Sequence, residues 1–439
     1  MNKYIKCVVC WGMVSMALLS SCNDEWDSHY ESDGGVPGVS LMDLLRRDSR
    51  LEKFCQIIEK THGDTLLSST QTYTVWAPRN EALADVDMDD MDALRRLVKN
   101  HIARYTNPSS TSPEKKIYML NNKIMSFKDS NRFMDASIEE KDMLAQNGVL
   151  HVLREQIPYQ FNILERMATD ANYSKVYDFI TRWNQKNYDP GLSTAYDSVF
   201  VDYNPMLESL GYGIGLLDNE DSLYTMIIPD NAAWDEAMAR LQPYFKPGSK
   251  LTGDALIAYQ DSASESRAGQ AILAGLTFPG VKFQNAQGEF VDPVTWDSLY
   301  TVDRHLLYKK DLQAYFNGYD LEKASNGYMY LAHGHLNMAD TCTWNLPVKV
   351  EGENSYYTIK DLALSSAIRT TTDYSAVQGV SGNAYLEMSA SNNNTGVTFK
   401  LPQVLAGKYE IWVDYVPPII DGVAKKTRMQ YQLKYTLEN

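Results

Sequence analysis

The chain has 439 residues, of which 44% are apolar and 22% are charged, a composition typical of folded protein with sizeable cores. At roughly 100–200 residues per domain, the length predicts about two to four domains. The 41 basic and 56 acidic residues give a net charge of −15, which excludes general affinity for nucleic acid, and five cysteines exclude a disulfide-stapled scaffold.

The amino terminus predicts export. Lys3 and Lys6 precede the apolar run 7–19, whose 13 residues are too few for a spanning helix, since such a helix needs about 20. The run ends in Leu19-Ser20-Ser21-Cys22, which resembles the lipobox of bacterial lipoproteins. We therefore expect residues 1–21 to be a signal peptide, after whose cleavage Cys22 is acylated and anchors the protein to the membrane.

Residues 22–39 are predicted to form an acidic, flexible tether. It opens with Asn23-Asp24-Glu25-Trp26-Asp27, which resembles the export signals of surface-exposed lipoproteins in some Gram-negative bacteria, and continues with serine, glycine and proline. The expected location is the cell outer membrane, with the lipid-anchored protein on the outside. A solvated linker without a sorting role is the alternative.

Each half of the following chain opens with a helical pattern. Ser40 is a suitable N-cap, and apolar residues recur at helical spacing from Leu41 to Ile58. A similar pattern runs from Ile163 to Trp183 in the second half. These patterns predict helices with one buried face.

The sequence repeats itself after these helices. Segments 73–83 and 224–234 align at a constant offset of 151, and five of their eleven positions are identical. Each segment predicts a strand that stops at a proline, because proline lacks the N–H that a sheet requires. The asparagine that follows, Asn80 or Asn231, is expected to cap the next helix.

A second pair of matched segments lies further on, at 147–152 and 326–331. Both begin with Asn-Gly, which predicts a tight turn that leads into a strand. The distance from the proline of the repeat to this asparagine is 69 residues in the first copy and 97 in the second. The second copy is therefore expected to carry about 28 additional residues, mainly in loops.

These motifs resemble a known family. Tyr-Thr-Val-Trp-Ala-Pro-Arg-Asn-Glu-Ala at 73–82 is similar to the first signature of fasciclin domains, and Asn-Gly-Val-Leu-His-Val at 147–152 is similar to the second. Asn100 stands where the central helix of the family typically has tyrosine. The resemblance implies two α/β fasciclin-like modules, at 40–157 and, with insertions, at 158–340. It also implies adhesion or scaffolding rather than catalysis.

Residues 345–439 predict an all-β sandwich, so that the fold class is multidomain. Apolar and polar residues alternate without error over 428–437, and further strands are predicted over 384–389, 395–401 and 408–416. The sequence pattern of segments 395–401 and 408–416 resembles that of jelly-roll sandwiches of the carbohydrate-binding-module type.

The strand predicted over 408–416 carries the predicted binding site. Its odd-numbered apolar residues are expected to face the core, which leaves Glu410, Trp412 and Asp414 together on the opposite face. An indole ring stacks on the C–H groups of a sugar, and carboxylates accept hydrogen bonds from its hydroxyls. These three residues are the predicted glycan-binding site. The alternative is that another sheet or the preceding domain covers Trp412.

No motif nominates a catalytic residue, a metal site or a cofactor. His101 and His151 are expected to be hydrogen-bonded packing residues, whereas His333 and His335 place two imidazoles on one strand face without a clear third ligand. The aspartates of 85–92 fail the calcium-loop pattern, because an EF-hand requires glycine where Asp90 stands, and they are expected to form an acidic helix start. Gly379-Val380-Ser381-Gly382-Asn383 misses the nucleophile-elbow pattern at its last position.

The sequence therefore predicts a non-catalytic outer-membrane surface lipoprotein for adhesion or for binding a glycan or a partner protein. By resemblance, its setting is a polysaccharide-uptake system. Two alternatives stay open: a structural envelope scaffold without sugar binding, and a surface hydrolase. The expected partners are the membrane, through the lipid, and a glycan or an envelope protein, but no nucleic acid.

Overall fold

The computed structural model describes residues 38–191, 193, 198–208, 213–283, 285, 289–338 and 348–353, and further on 367–371, 381, 384–389, 399, 401, 404–416, 419–420 and 423–424. The chain divides into two compact units, Met1–Phe161 and Asn162–Asn439. In the described ranges, no helix combines the length and the apolarity needed to cross a membrane. The signal peptide, Cys22 and all but the end of the tether lie outside these ranges, and their roles stay predictions.

Helices and strands alternate at the start of the first unit, and strands follow. The helices are α1 (Leu41–Arg47), α2 (Glu52–Lys60), α3 (Asp64–Leu67) and α4 (Met91–Asn100). The strands are β1 (Tyr73–Pro78), β2 (Ile102–Arg104), β3 (Ile117–Tyr118), β4 (Ile124–Met125), β5 (Phe127–Asp129), β6 (Arg132–Phe133), β7 (Ala136–Ala145) and β8 (Gly148–Leu153).

Helix α1 begins after Ser40, as predicted. The Ser40 hydroxyl accepts a hydrogen bond from the Asp43 N–H at 3.2 Å, and the Asp43 carboxylate accepts one from the Ser40 N–H at 2.9 Å. This capping box gives partners to two N–H groups that the start of a helix otherwise leaves free. The predicted helical pattern is confirmed, although it is divided at Asp48 into α1 and α2, which bury Leu41 and Phe54 in the core.

The sheet of the first unit has the strand order β2-β1-β8-β7-β6-β5. Its central strands β1 and β8 carry the two signature motifs and run parallel, with Tyr73 opposite Gly148 and Pro78 opposite Leu153. Alternate residues of β1 face opposite sides of the sheet: Val75 joins the core beneath the helices, while Trp76 joins a second core on the other face.

Gly148 permits the close approach of these two strands. Its φ of +148° lies where residues with a side chain rarely occur, and a Cβ there would lie 1.8 Å from the Tyr73 carbonyl oxygen. The glycine of the Asn-Gly motif is therefore required by the pairing of β8 with β1.

The described α-helices of the second unit range from six residues to the 24 of Gly253–Leu276. They are α5 (Ile163–Ala168), α6 (Ser174–Thr181), α7 (Asn231–Leu241), α8 (Gly253–Leu276) and α9 (Lys309–Phe316). The strands up to residue 338 are β9 (Gln185–Tyr188), β10 (Phe200–Tyr203), β11 (Tyr224–Pro229), β12 (Thr277–Pro279), β13 (Ser298–Tyr300), β14 (Leu306–Tyr308), β15 (Asp320–Ala324) and β16 (Gly327–Ala332).

The four-stranded sheet of the second unit repeats the plan of the first. Its order is β12-β11-β16-β15, and the central pair β11 and β16 is parallel, with Tyr224 opposite Gly327 and Pro229 opposite Ala332. An antiparallel strand flanks each side of this pair, as β2 and β7 do in the first unit. The repeat predicted from the offset of 151 residues is therefore present as a repeated strand arrangement.

Two short antiparallel pairs are described beyond residue 353. They are β17 (Ala367–Thr371) with β18 (Tyr385–Ser389), and β19 (Ile419–Ile420) with β20 (Val423–Ala424). Strand β18 confirms the strand predicted over 384–389. The segment 428–437 and nearly all of 395–401 lie outside the described residues, so the sandwich stays a prediction.

The strand predicted over 408–416 is wrong. These residues are described, and they form no strand. An alternating sequence becomes a strand only when a neighbouring strand takes up its backbone hydrogen bonds. Among the described residues, no strand pairs with 408–416; just before it, the Ala406 N–H donates to the Tyr244 carbonyl at 2.7 Å.

Candidate functional site

The asparagine of the first Asn-Gly motif connects three parts of the first unit. The Asn147 side-chain oxygen accepts a hydrogen bond from the Leu41 N–H at 2.8 Å, which fixes the start of α1. Its amide nitrogen donates to the carbonyls of Leu67 at 2.7 Å and Ser69 at 2.9 Å. The oxygen and both N–H groups of this buried side chain are thus hydrogen-bonded inside the fold.

The second unit repeats this arrangement. The Asn326 side-chain oxygen accepts a hydrogen bond from the Ile163 N–H at 3.1 Å, and the amide nitrogen donates to the carbonyls of Leu217 at 2.8 Å and Asn219 at 3.3 Å. Both asparagines are therefore structural, and neither offers a free group to a ligand.

The expected helix-capping role of Asn80 and Asn231 is wrong. The N-cap of α7 is Asp230, whose carboxylate accepts a hydrogen bond from the Ala233 N–H at 2.8 Å. Arg79 precedes the short 3₁₀ helix Asn80–Leu83 and makes no side-chain cap.

Asn80 and Asn231 instead bind the start of a preceding helix. The Asn80 oxygen accepts from the Lys53 N–H at 2.8 Å, and its amide donates to the Ser49 carbonyl at 2.8 Å. In the second unit, Asn231 accepts from the Lys175 N–H at 3.0 Å and donates to the Ala171 carbonyl at 2.9 Å. An amide side chain suits this position because it carries both a donor and an acceptor.

His101 is a packing residue, as predicted. It lies fully buried just after α4, where Nδ1 donates to the Leu97 carbonyl at 2.9 Å and Nε2 accepts from the Ile157 N–H at 3.1 Å. This pair of hydrogen bonds requires a neutral ring. Burial lowers the pKa of His101 to about 4.

His151 is held in a similar way on β8. Its Nε2 donates to the Asn107 carbonyl at 3.0 Å, and its Nδ1 accepts from the Asp142 N–H at 3.3 Å. The ring stacks on Trp76 with centroids 5.7 Å apart, and burial lowers the pKa of His151. The predicted packing role is confirmed, and neither histidine is free to act as a catalytic base.

His333 and His335 do not share a strand face, contrary to expectation. Strand β16 ends at Ala332, and both histidines lie in the turn that follows, because Gly334 adopts a φ of +71° between them. His333 contacts the Asp320 carboxylate at 3.1 Å, and His335 contacts Glu236 at 2.9 Å. Among the described residues, no group of three or more His, Cys, Asp or Glu side chains could hold a metal ion.

Two of the aspartates of 85–92 lie at the start of α4, as expected: Asp90 is its N-cap, and Asp92 is in its first turn. The Asp90 carboxylate accepts hydrogen bonds from the N–H groups of Asp92 and Ala93, at 3.1 and 2.9 Å. Asp92 also pairs with Arg95 at 3.1 Å on the helix surface. The negative charge at this helix end stabilises the helix dipole.

The residues of the predicted glycan site lie on an exposed segment. Trp412 is 85% exposed. The alternative that another sheet or the preceding domain covers its ring is therefore wrong. Glu410 and Asp414 are exposed as well. The residues expected to face the core are also exposed, at 45–60% of their surface: Tyr409, Ile411, Val413 and Tyr415. That expectation is wrong, because 408–416 does not lie in a sheet with one covered face.

A polar cluster that the sequence did not reveal lies in the same unit. The Lys349 ammonium donates to the Ser381 hydroxyl at 2.8 Å and pairs with Glu351 at 2.5 Å, while the Ser381 hydroxyl donates to Glu351 at 2.7 Å. The hydrogen bond with Glu351 raises the pKa of Lys349, and Asp414 adds to this effect. A lysine held protonated is a poor base, so Lys349 does not accept the proton of the Ser381 hydroxyl.

A second feature missed from the sequence is the hairpin β9–β10. The hydrogen bond from Lys53 to Asn80 spans 27 residues, whereas its counterpart from Lys175 to Asn231 spans 56, so the second unit has 29 more residues here. The hairpin lies in this insertion. All four residues of β9 and three of the four in β10 are exposed.

The hairpin is nevertheless ordered by its own side chains. Tyr188 and Phe200 pair edge to face with centroids 5.8 Å apart, and Lys186 pairs with Asp202 at 2.8 Å. At its base, the buried amide of Asn204 donates to the Ile180 carbonyl at 2.9 Å and to the Asn184 side chain at 2.7 Å.

Residues 49–157 match the family model described as the Fasciclin domain. This match confirms the resemblance predicted from the signature motifs, and the chain therefore contains a fasciclin domain in this region. Fasciclin domains are associated with cell adhesion. A search of curated proteins gave no match.

Among solved structures, the chain is similar to a FAS1 domain pair from the insect cell adhesion molecule fasciclin I. The two are 15% identical, the match covers 67% of this chain and 99% of that chain, and the TM-score is 0.24.

Proposed function

We propose that the protein is a non-catalytic surface lipoprotein, anchored in the outer membrane through Cys22, that adheres to a glycan or to a partner protein. The fasciclin domain at 49–157 supports adhesion as the general role. The repeated strand plan of the second unit supports a tandem pair of fasciclin-like modules. By resemblance, the proposed setting is a polysaccharide-uptake system on the cell surface.

One observation carries the glycan-binding part of this proposal. Trp412 has the highest exposure of any large apolar side chain in the described residues, at 85%. Large apolar side chains exposed in a group commonly mark interaction sites. Carboxylates at Glu410 and Asp414 lie in the same exposed segment, and an indole with carboxylates nearby suits the C–H faces and hydroxyls of a sugar.

The proposal is tested by affinity electrophoresis of the full-length protein in gels that contain neutral polysaccharides. We expect at least one polysaccharide to retard the protein, and we expect Trp412→Ala to remove most of that retardation. Trp183→Ala is the matched control, because Trp183 is a partly exposed tryptophan of the same unit outside the proposed site.

Equal retardation of both variants and the parent would contradict a role for Trp412. The same polysaccharides, incubated with the protein and assayed for new reducing ends, test the non-catalytic part of the proposal. Release of reducing sugar would favour the hydrolase alternative.

The alternative of a structural scaffold is favoured by a different observation. The hairpin β9–β10 lies in the insertion of the second unit and exposes Tyr188 and Phe200 at more than half of their surface. Aromatic side chains are enriched at protein–protein interfaces, so this surface suits contact with a partner protein. A glycan array without any hit, together with a specific protein partner, would support the scaffold.

A further inference from the structure

The fasciclin domain carries an open depression at the edge of strands β5, β6 and β7. Its volume is about 420 Å³, and residues from the β5–β6 turn, from the start of β7 and from the position after β8 surround it. The lining consists of Asp129, Ser130, Asn131, Arg132, Ser137, Ile138 and Arg154. These lining residues carry two guanidinium groups and one carboxylate, a formal charge of +1 in a chain of net charge −15.

Arg154 has hydrogen-bonding capacity to spare. Among the described residues, its guanidinium makes a single ion pair, with Glu139 at 3.5 Å. The Glu139 carboxylate already accepts hydrogen bonds from Arg79 at 2.7 Å and from Arg50 at 3.2 Å, so three arginines share one carboxylate. Most of the five N–H donors of Arg154 are therefore available to another acceptor.

Arg132 contributes a second guanidinium on a firmly held turn. Its Nε donates to the Asp129 carboxylate at 2.9 Å, and Asp129 also accepts from the Asn131 N–H at 2.8 Å. These hydrogen bonds lower the pKa of Asp129, whose carboxylate is thus paired inside the turn. Two further charges contact the lining residues. The Lys141 ammonium donates to the Asn131 side chain at 3.1 Å, and the Glu155 carboxylate accepts from the Ser137 N–H at 2.7 Å.

We propose that this depression binds an oxyanion, a sulfate or carboxylate group, between Arg132 and Arg154. Guanidinium groups present pairs of N–H donors that match the oxygen spacing of such anions, and the hydroxyls of Ser130 and Ser137 are further donors in the lining. The oxyanion can come from an acidic polysaccharide or from a free inorganic anion. This site goes beyond the proposed function, because it lies in the other unit and does not involve Trp412.

Binding of sulfated dextran and of inorganic sulfate to the full chain, measured at low ionic strength, tests the proposal. We expect Arg154→Ala to weaken binding about tenfold, which is the loss of one charge-assisted hydrogen-bond pair. The variant should fold normally, because Arg154 makes no side-chain hydrogen bond among the described residues, and its thermal midpoint checks this. Arg95→Ala, which removes the same charge from the exposed surface of α4, is the matched control and should bind like the parent.

The two probes distinguish the sources of the anion. If Arg154→Ala weakens binding of both probes, the oxyanion alone is recognised; if only sulfated dextran binds and the variant loses it, the anion is recognised on a polymer. Equal binding by Arg154→Ala, Arg95→Ala and the parent would overturn the proposal. Trp412→Ala should leave this binding intact, so failure here is distinguishable from failure of the proposed glycan site.

Discussion

The polar side chains of the signature motifs are used inside the fold. Asn147 and Asn326 each make three hydrogen bonds to backbone groups far away in the sequence, and each thereby fixes the start of a helix against the sheet. His101 and His151 each join a carbonyl to an N–H group through a neutral ring. A buried polar group without such partners would cost stability, which explains why these residue types stand at these positions.

The neutral ring of His101 predicts that the first unit loses stability in mild acid. The pKa of His101 is about 4 in the fold and 6.5 in an unfolded chain. Between these values the unfolded chain binds a proton that the folded chain does not, so stability is complete above pH 6.5 and falls as the pH is lowered toward 4. By pH 5 the expected loss from His101 is about 2 kcal/mol.

Hydrogen exchange at pH 7.5 and pH 5, corrected for the intrinsic rate at each pH, checks this loss. Peptides from the first unit should lose protection at pH 5. Peptides from the parallel strands β11 and β16 serve as the internal control, because these two strands contain no histidine. An equal loss of protection in the two units would contradict a histidine origin.

The sequence predicted the structural role of these side chains, but it did not always predict their hydrogen-bond partners. The burial of both histidines followed from the apolar residues around them in the sequence. The bonds of Asn80 did not, because a cap is a local interaction, whereas the partner of Asn80 lies 27 residues away at Lys53. The side chain of Asn80 could bond either the helix that follows it or the helix that precedes it. Tertiary packing decides between these two, and a single sequence does not reveal that packing.

At the scale of elements, each unit keeps the same central strands and admits insertions between them. The parallel pairs β1–β8 and β11–β16 have matching registers, although the second unit is longer both before and after β11. The sequence predicted the length of the insertion that follows β11, because signature motifs bracket it. The expectation that the additional residues lie mainly in loops is wrong, because this interval holds the 24-residue helix α8. The insertion that carries the hairpin β9–β10 lies outside those brackets, and its short strands have no periodic apolar pattern.

Excision of this hairpin is expected to leave the second unit folded. Its strands bury little apolar surface, and Asn184 and Asn204 at its base are joined by a hydrogen bond of 2.7 Å, so a short Gly-Ser linker can replace 185–203. The free energy of unfolding should change by less than about 1 kcal/mol, as for changes remote from a core. Chemical denaturation followed by circular dichroism measures this change.

Asn204→Ala is the control for the excision experiment. Asn204 is buried and bonds the Ile180 carbonyl at 2.9 Å, so its loss should cost about 1–3 kcal/mol. A larger cost for the excision than for Asn204→Ala would mean that the hairpin belongs to the structural core of the unit.

The segment 408–416 shows the limit of alternation as evidence for a strand. Apolar and polar residues alternate regularly over 408–416, yet this segment is not a strand. They do not alternate in β8, which is a central strand of its sheet. A strand buried on both faces is apolar throughout, whereas an alternating segment needs a partner that the pattern itself does not supply. The pattern therefore predicted an outward-facing Trp412, but it did not predict that the alternate residues Tyr409, Ile411, Val413 and Tyr415 are exposed as well.

At the scale of the whole molecule, the chain combines an acidic surface with local sites of different chemistry. The depression proposed as an oxyanion site is lined by the guanidinium groups of Arg132 and Arg154, whereas the proposed glycan site at Trp412 combines an aromatic ring with carboxylates. These sites lie in different units, so one would recognise acidic groups and the other neutral sugar faces. A protein that presents two such sites can hold a heterogeneous polymer at more than one point, which raises the effective affinity without new contacts.

Such capture at a cell surface requires that the protein is anchored and exposed, and this is testable at Cys22. Cys22→Ala removes the thiol that the lipobox-like motif offers for acylation, so the protein should move from the membrane fraction to the soluble fraction, because membrane attachment by lipid depends on the acyl chains. Cys55→Ala is the matched control, since Cys55 is a buried free cysteine of the first unit and should leave the protein in the membrane fraction. Protease added to intact cells should degrade the parent protein. Membrane retention of Cys22→Ala would contradict the lipid anchor, and resistance of the parent to external protease would contradict its display on the surface.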